Sequence, residues 1–217
     1  MSGTVVKVGG SLGRGGGLRA LCVRLGELGR RHALLLVPGG GVFADVVREQ
    51  DERLGLGDDA AHWMAVAAME QSGHVLARLI PGATTVDDEA RARQALSRPG
   101  VAVLLPYRWL TGSDPLPHEW EVTSDSIAAW VARVCGAARL VLLKPSAALA
   151  VPLPSGAPAG GPRAAEDLAG WPPVDRRFHE VAAGLKVVVV DGQDPEGLEA
   201  ALDVEDPARV NRRRDPE

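Results

Sequence analysis

Aromatic residues are scarce in this sequence, at 4%, so its core must come from the Val, Leu and Ala that dominate a 46% hydrophobic content. A basic surplus is also missing. Lys and Arg number 24 against 28 Asp and Glu, a formal net charge of -4. Nucleic-acid binders usually carry a basic excess, so this balance argues against a nucleic-acid partner. The one basic run, Arg212-Arg213-Arg214, has Asp215 and Glu217 beside it and reads as a solvated terminus. Cysteine is nearly absent. Cys22 and Cys135 lie in apolar, helix-like stretches with no CxxC pair and no metal spacing, which predicts two buried reduced thiols. No apolar run reaches the about 20 residues that span a bilayer. The first residues lack the charged-then-apolar order of a signal peptide. The expectation is a cytoplasmic protein with no membrane partner. At 217 residues the chain suits one domain over 1–205, followed by a tail at 206–217.

What is present alternates. Residues 4–8 form a β-branched run ending in two glycines and read as a buried strand. Apolar residues at Leu18, Leu21, Cys22, Leu25 and Leu28 predict a helix over 18–31 with one inward face. Residues 33–37 read as a strand, 42–53 as a helix and 59–79 as a long helix with Trp63, Val66, Met69, Gly73 and Leu76 inward. Strands follow at 101–105, 140–143 and 186–190, and helices at 123–134 and 196–202. Strands apolar on both faces, alternating with helices, indicate an α/β three-layer sandwich around a largely parallel sheet. Residues 152–162 are too rich in proline and glycine for a helix or a central strand and read as either a mobile surface loop or a remodelled hairpin. Pro172-Pro173 marks a second break.

Five segments are candidates for chemistry. Lys7 lies near the end of a buried strand, where an ammonium is costly without a charge partner. Gly9, Gly10 and Ser11 follow it, so backbone could approach an anion closely. Neither the P-loop pattern nor the dinucleotide fingerprint is present. Taken alone, the segment fits a phosphate cradle and an ordinary strand-to-helix turn equally. Gly39-Gly40-Gly41 after Pro38 strips side chains from a second strand-to-helix turn, as a backbone nest for an anion requires. Two such turns after parallel strands should meet at the strands' carboxyl ends. Thr123-Ser124-Asp125 has the pattern of an N-cap with a first-turn acid. Asp125 gains a further role only if it reaches Lys7. Lys144 ends a strand and fits either a phosphate ligand or a solvated loop residue; Asp191-Gly192 fits a ligand turn or a plain one. The histidines show no metal-ligand spacing, and His32 reads as a surface residue at a helix end.

Lys7-Val8-Gly9-Gly10-Ser11 followed by Val37-Pro38-Gly39-Gly40-Gly41 resembles the opening of the amino acid kinase family. Three further segments narrow the resemblance: 39–48, 61–69 and, most specific, His118-Glu119-Trp120-Glu121-Val122-Thr123-Ser124-Asp125-Ser126. Together they look like the family branch that phosphorylates (5-(aminomethyl)furan-3-yl)methyl phosphate to its diphosphate in methanofuran or methylofuran biosynthesis. The resemblance implies ATP and Mg2+ as cofactors, a small-molecule phosphate acceptor and a homodimer. It implies Lys7, Asp125 and Lys144 as catalytic residues, with Asp125 a candidate ligand to magnesium. ATP and its phosphates would meet Gly9, Gly10, Ser11, Lys144, Asp191 and Gly192. The acceptor would meet Gly39, Gly40, Gly41, His62, His118, Trp120, Thr123 and Ser124, with Glu119, Glu121 or Trp63 near its amine. The family's DG turn is replaced here by Lys144-Pro145-Ser146. Other members of the fold act on uridylate, isopentenyl phosphate or amino acids, and a non-catalytic nucleotide-binding relative is the alternative of another class.

Overall fold

A computed structural model of the chain describes residues 3–151, 162–164 and 168–203. The proline-rich stretch at 152–161 and the tail at 206–217 lie outside the described residues. Seven strands form one sheet: β1 (Thr4–Val8), β2 (Ala33–Pro38), β3 (Thr84–Val86), β4 (Gly100–Leu104), β5 (Arg139–Lys144), β6 (Pro162–Ala164) and β7 (Lys186–Asp191). Their order is β3-β4-β2-β1-β5-β7-β6. Every pairing is parallel except that of β6 with β7. This is the α/β architecture that the alternation predicts.

The helices are α1 (Leu18–Leu28), α2 (Gly41–Leu54), α3 (Asp58–Leu79), α4 (Glu89–Ala95), α5 (Tyr107–Ser113), α6 (Ser124–Cys135), α7 (Ser146–Leu149), α8 (Phe178–Val181) and α9 (Pro195–Asp203). A 3-10 turn, Gly10–Arg14, follows β1. Helix α1 stops at Leu28, three residues before the predicted end, because Gly29 to Arg31 fold into a turn that closes on Leu25 and Leu28. Trp63, expected inward, packs only against the core's edge, while Ala61 and Ala68 take buried positions. His32 is not a surface residue. It is half-buried, with Nε2 3.1 Å from Asp203 Oδ1, and burial pushes its pKa down. Both cysteines are buried and free, as expected.

The two-residue period of the strands sorts the core into two layers. Val6, Val8, Val141 and Leu143 face α1 and α9. Val5, Val37, Leu140 and Leu142 face α6, which buries Ile127, Ala128 and Val131 against them. Ile127 and Val131 contribute about 2 kcal/mol each through burial. Apolar packing therefore fixes α6 on the sheet, and the first turn of that helix inherits its position. Lys7 lies opposite Leu142 in register and on the same side of β1 as Val5. Lys144 shares a side of β5 with Leu142. Both lysines thus continue the face that α6 covers. The connection from β1 runs toward β2 and that from β5 toward β7, so the chain diverges between these central strands. Open α/β sheets bind ligands at such a divergence.

Candidate active site

At the carboxyl end of the sheet, three charged groups converge below the surface. Lys7 Nζ lies 2.9 Å from Asp125 Oδ1, and Lys144 Nζ lies 2.5 Å from Asp125 Oδ2. The three side chains are only 7%, 4% and 7% exposed, in the order Lys7, Asp125, Lys144. The Lys144 contact is a hydrogen bond; the Lys7 contact is a charge contact without hydrogen-bond alignment. Burial is the largest influence on Asp125 and would raise its pKa. The two ammoniums outweigh it, and the carboxyl stays below its ordinary value. Lys144 goes the other way: burial and the Lys7 charge push it down to about 8 against the pull of Asp125. Asp125 is the carboxylate in direct contact with both ammoniums, and Asp175 acts on Lys144 from farther off.

The cluster faces a cavity of about 390 Å3. Lys7, Gly10, Ser11, Gly39, Gly40, Gly41, His62, Trp120, Thr123, Ser124, Asp125 and Lys144, all candidates from the sequence, line it together. The glycine turns touch. A Cβ on Gly10 would stand 2.3 Å from the Gly41 nitrogen, and one on Gly39 would stand 2.5 Å from the Gly10 nitrogen. No side chain fits at either position without parting the loops. Gly41 adopts φ +56°, the left-handed region, and opens α2. The start of this 14-residue helix therefore lies at the cavity with free N–H groups and no first-turn acid.

Trp63 and Glu121 do not line the cavity, and four further expected residues also lie elsewhere. Gly9 donates its N–H to the Leu143 carbonyl and ties β1 to β5. Gly192 donates to the Lys144 carbonyl at 2.8 Å, with Leu12 packed where its side chain would be. Asp191 accepts from Ser146 Oγ and from the Gln193 nitrogen. These three hold the β1, β5 and β7 ends together and do not line the cavity. His118 sits one layer behind the wall, stacked on His62 with centroids 4.3 Å apart.

Thr123 caps α6, accepting from the Asp125 nitrogen at 3.3 Å. The capping role and the Lys7 contact of Asp125 thus coexist. Asp175, absent from the sequence-based candidates, completes this corner. Its carboxylate accepts from the nitrogens and hydroxyls of both Thr123 and Ser126. Two residues earlier, the Pro173 carbonyl accepts from Lys144 Nζ at 2.5 Å. The proline break at 172–173 therefore supplies a wall of the cavity. Its signal in the sequence was only a loop, since its partners lie about fifty residues away, |i−j| 52 and 49 for Thr123 and Ser126.

The outer wall is anchored by charge. Trp120 donates its ring N–H to Asp51 at 2.8 Å, and the Arg48 guanidinium lies 5.2 Å from its ring centre. Glu119 pairs with Arg177, and Glu121, outside the cavity, with Arg176. Among the described residues no cluster of three or more His, Cys, Asp or Glu could hold a metal ion, and no helix is long and apolar enough to cross a membrane.

The amino acid kinase family model matches residues 3–149. A [5-(aminomethyl)furan-3-yl]methyl phosphate kinase of Methanocaldococcus jannaschii is 28% identical over 198 residues, covering 88% of this chain and 89% of that protein. Among solved structures, uridylate kinase from Archaeoglobus fulgidus matches with a TM-score of 0.64 at 16% identity, over 94% of this chain and 96% of its own. UMP kinase from Ureaplasma parvum matches with a TM-score of 0.69 at 12% identity, over 95% and 97%. These two show a shared fold. The family match contains Lys7, both glycine turns, Asp125 and Lys144; the chain belongs to the amino acid kinase family, and the protein is a kinase.

Proposed function

We propose that the protein transfers the γ-phosphoryl group of ATP to (5-(aminomethyl)furan-3-yl)methyl phosphate, forming its diphosphate and ADP. The observation that carries phosphoryl transfer is the buried Lys7–Asp125–Lys144 cluster, with its two ammoniums beside two glycine turns. The acceptor comes from the relative with which the chain aligns over 88% of its length. An acceptor phosphate oxygen attacks the γ-phosphorus, a new P–O–P bond forms, and the bond to the ADP oxygen breaks. The acceptor is a phosphate monoester, already ionised near neutral pH, so no side chain need remove a proton. Positioning and charge neutralisation remain to be supplied. Lys7 and Lys144 hold the transferring phosphoryl oxygens, and Asp125 orients both ammoniums. Backbone N–H groups of Gly10, Gly40 and Gly41 line the phosphates, while the Gly39 N–H is held by the Val8 carbonyl. Magnesium, when bound with ATP, adds neutralisation there. Both Asp125 oxygens face lysines, so that carboxylate suits an organiser of the lysines better than a metal ligand.

The direct test is turnover. With ATP, magnesium and the furan phosphate, phosphorus NMR should show a new diphosphate appearing as ADP is released. Equal or faster turnover of uridine monophosphate or isopentenyl phosphate would overturn the acceptor assignment.

Lys144 also predicts a pH profile. Its ammonium titrates at about 8 in the free protein and is neutral above that. The ratio kcat/KM reports the free enzyme, so for ATP it should fall with an apparent pKa near 8. Bound phosphate favours the ammonium, so kcat should hold to higher pH. A kcat/KM for ATP that stays level up to about pH 9.5 would remove Lys144 from phosphate binding.

A further inference from the structure

The two stacked histidines divide one proton between them by geometry. His118 Nδ1 lies 2.6 Å from Asp59 Oδ1 and its Nε2 lies 2.8 Å from Asp114 Oδ1. Ionised carboxylates only accept, so both ring nitrogens must donate and the ring is an imidazolium. The two hydrogen bonds raise its pKa accordingly. Asp59 belongs to α3, and Asp114 closes α5 at φ 41°, the only described non-glycine residue in the left-handed region. His118 therefore ties the wall segment carrying Glu119 and Trp120 to two helices. His62 lies against it with the two ring planes within 16° of parallel, and His62 lines the cavity. Burial and the adjacent imidazolium keep His62 below the ordinary histidine pKa.

We propose that His62 recognises a protonated amine on the acceptor through the lone pair of its neutral ring, and that His118 is the positioning residue that keeps His62 neutral and fixes its plane. This rests on the furan phosphate reading above, because that acceptor carries a primary ammonium. A cation cannot dock on a second imidazolium, so the proton must sit on the ring outside the cavity. Asp59 and Asp114 carry two negative charges against one on His118, which leaves the region behind His62 attractive to a cation. Asp58 stands at the same rim of the cavity, exposed and, among the described residues, without a hydrogen-bond or ion-pair partner. Glu119 is engaged by Arg177. His62 is thus the neutral acceptor placed inside an acidic surround.

His118 titrates above its ordinary value, so the bridge is intact at low pH and is lost as pH rises through that raised value. One carboxylate is then released, and the wall loosens. The KM for the furan phosphate should rise with pH through this range, a rise that His118→Gln should abolish.

The test uses the whole protein and two compounds, the furan phosphate and its analogue with methyl in place of aminomethyl. The wild type should favour the amine compound about 10- to 100-fold in kcat/KM, the worth of a hydrogen bond to a charged group. His62→Phe should erase that preference, so that kcat/KM for the two compounds becomes equal. His118→Gln should raise the KM for the amine compound alone, and ring-proton NMR should show the pKa of His62 moving up. His62→Gln, which keeps an acceptor, should retain part of the preference and guards against a folding defect in the Phe variant. An unchanged preference in His62→Phe overturns the amine role. A wild-type His62 that titrates above His118 overturns the division of the proton. Absence of turnover with both compounds overturns the acceptor reading and the amine role with it, whereas the NMR titration still decides the histidine pair.

Discussion

Replacing Lys7 by Met should lower turnover by about 100-fold or more while the protein remains folded. The loss follows from the position of the ammonium. A fixed charge aimed at a transferring phosphoryl group in a water-poor cavity is typically worth a few kcal/mol in the transition state. Folding should survive for two reasons. Lys7 lies in β1 with apolar neighbours Val37 and Leu142 in register, so a methionine of similar length suits the site. Its removal also leaves Asp125 with Lys144 at 2.5 Å, a one-to-one pair. The effect should fall on kcat and on kcat/KM together, as expected for an interaction stronger in the transition state than in the ground state. Steady-state kinetics beside a circular dichroism melt decides the matter. Near-wild-type turnover in a folded Lys7→Met protein would remove this lysine from the chemistry.

How far the site can be read from sequence depends on whether its partners are local. Lys7 was legible because a β-branched run with a lysine before two glycines has one buried solution, a strand needing a counter-charge. The glycine turns were legible because three glycines in a row strip the side chains from a strand-to-helix turn. Asp125 was readable as a first-turn acid, but its meeting with Lys7 depends on the α6 packing that the sheet register sets. Lys144 was ambiguous: before Pro145 it suits a loop, yet it is the last residue of β5 and only 6% exposed. Asp175 was not legible, since every group it binds belongs to the distant start of α6. The same holds for the layer behind the cavity. His118 could be named from a motif, but its bridge between Asp59 and Asp114 arises only when α3 and α5 pack together. In the fold, β3, α4 and α5 escaped notice because they span 3, 7 and 7 residues. Such short elements carry too little periodicity to register, and Thr84 and Thr85 of β3 are exposed.

Asp125→Asn should cost about 3–5 kcal/mol of stability at neutral pH, the usual penalty for leaving buried charge uncompensated. The amide keeps the shape of the carboxylate but leaves two buried ammoniums without their anion. This cost should depend on pH with a definite sign. Lys144 titrates at about 8 in the folded protein against an ordinary value of 10.5. Across that interval the unfolded chain binds more protons, so this residue's contribution makes stability rise with pH. Loss of the Asp125 charge lowers the folded value of Lys144 further and starts the rise at lower pH. Urea unfolding at about pH 7 and about pH 9.5 should therefore show the variant recovering stability that the parent has less of to regain. The double variant Lys7→Met/Asp125→Asn gives the sharper result. With one ammonium gone, the repulsion between the two lysines disappears, and the double variant should be more stable than Asp125→Asn alone. Two substitutions in a charge cluster would then be less damaging than one, as coupled residues allow. If the double variant is instead less stable by the sum of the single effects, the three side chains do not act as one electrostatic unit.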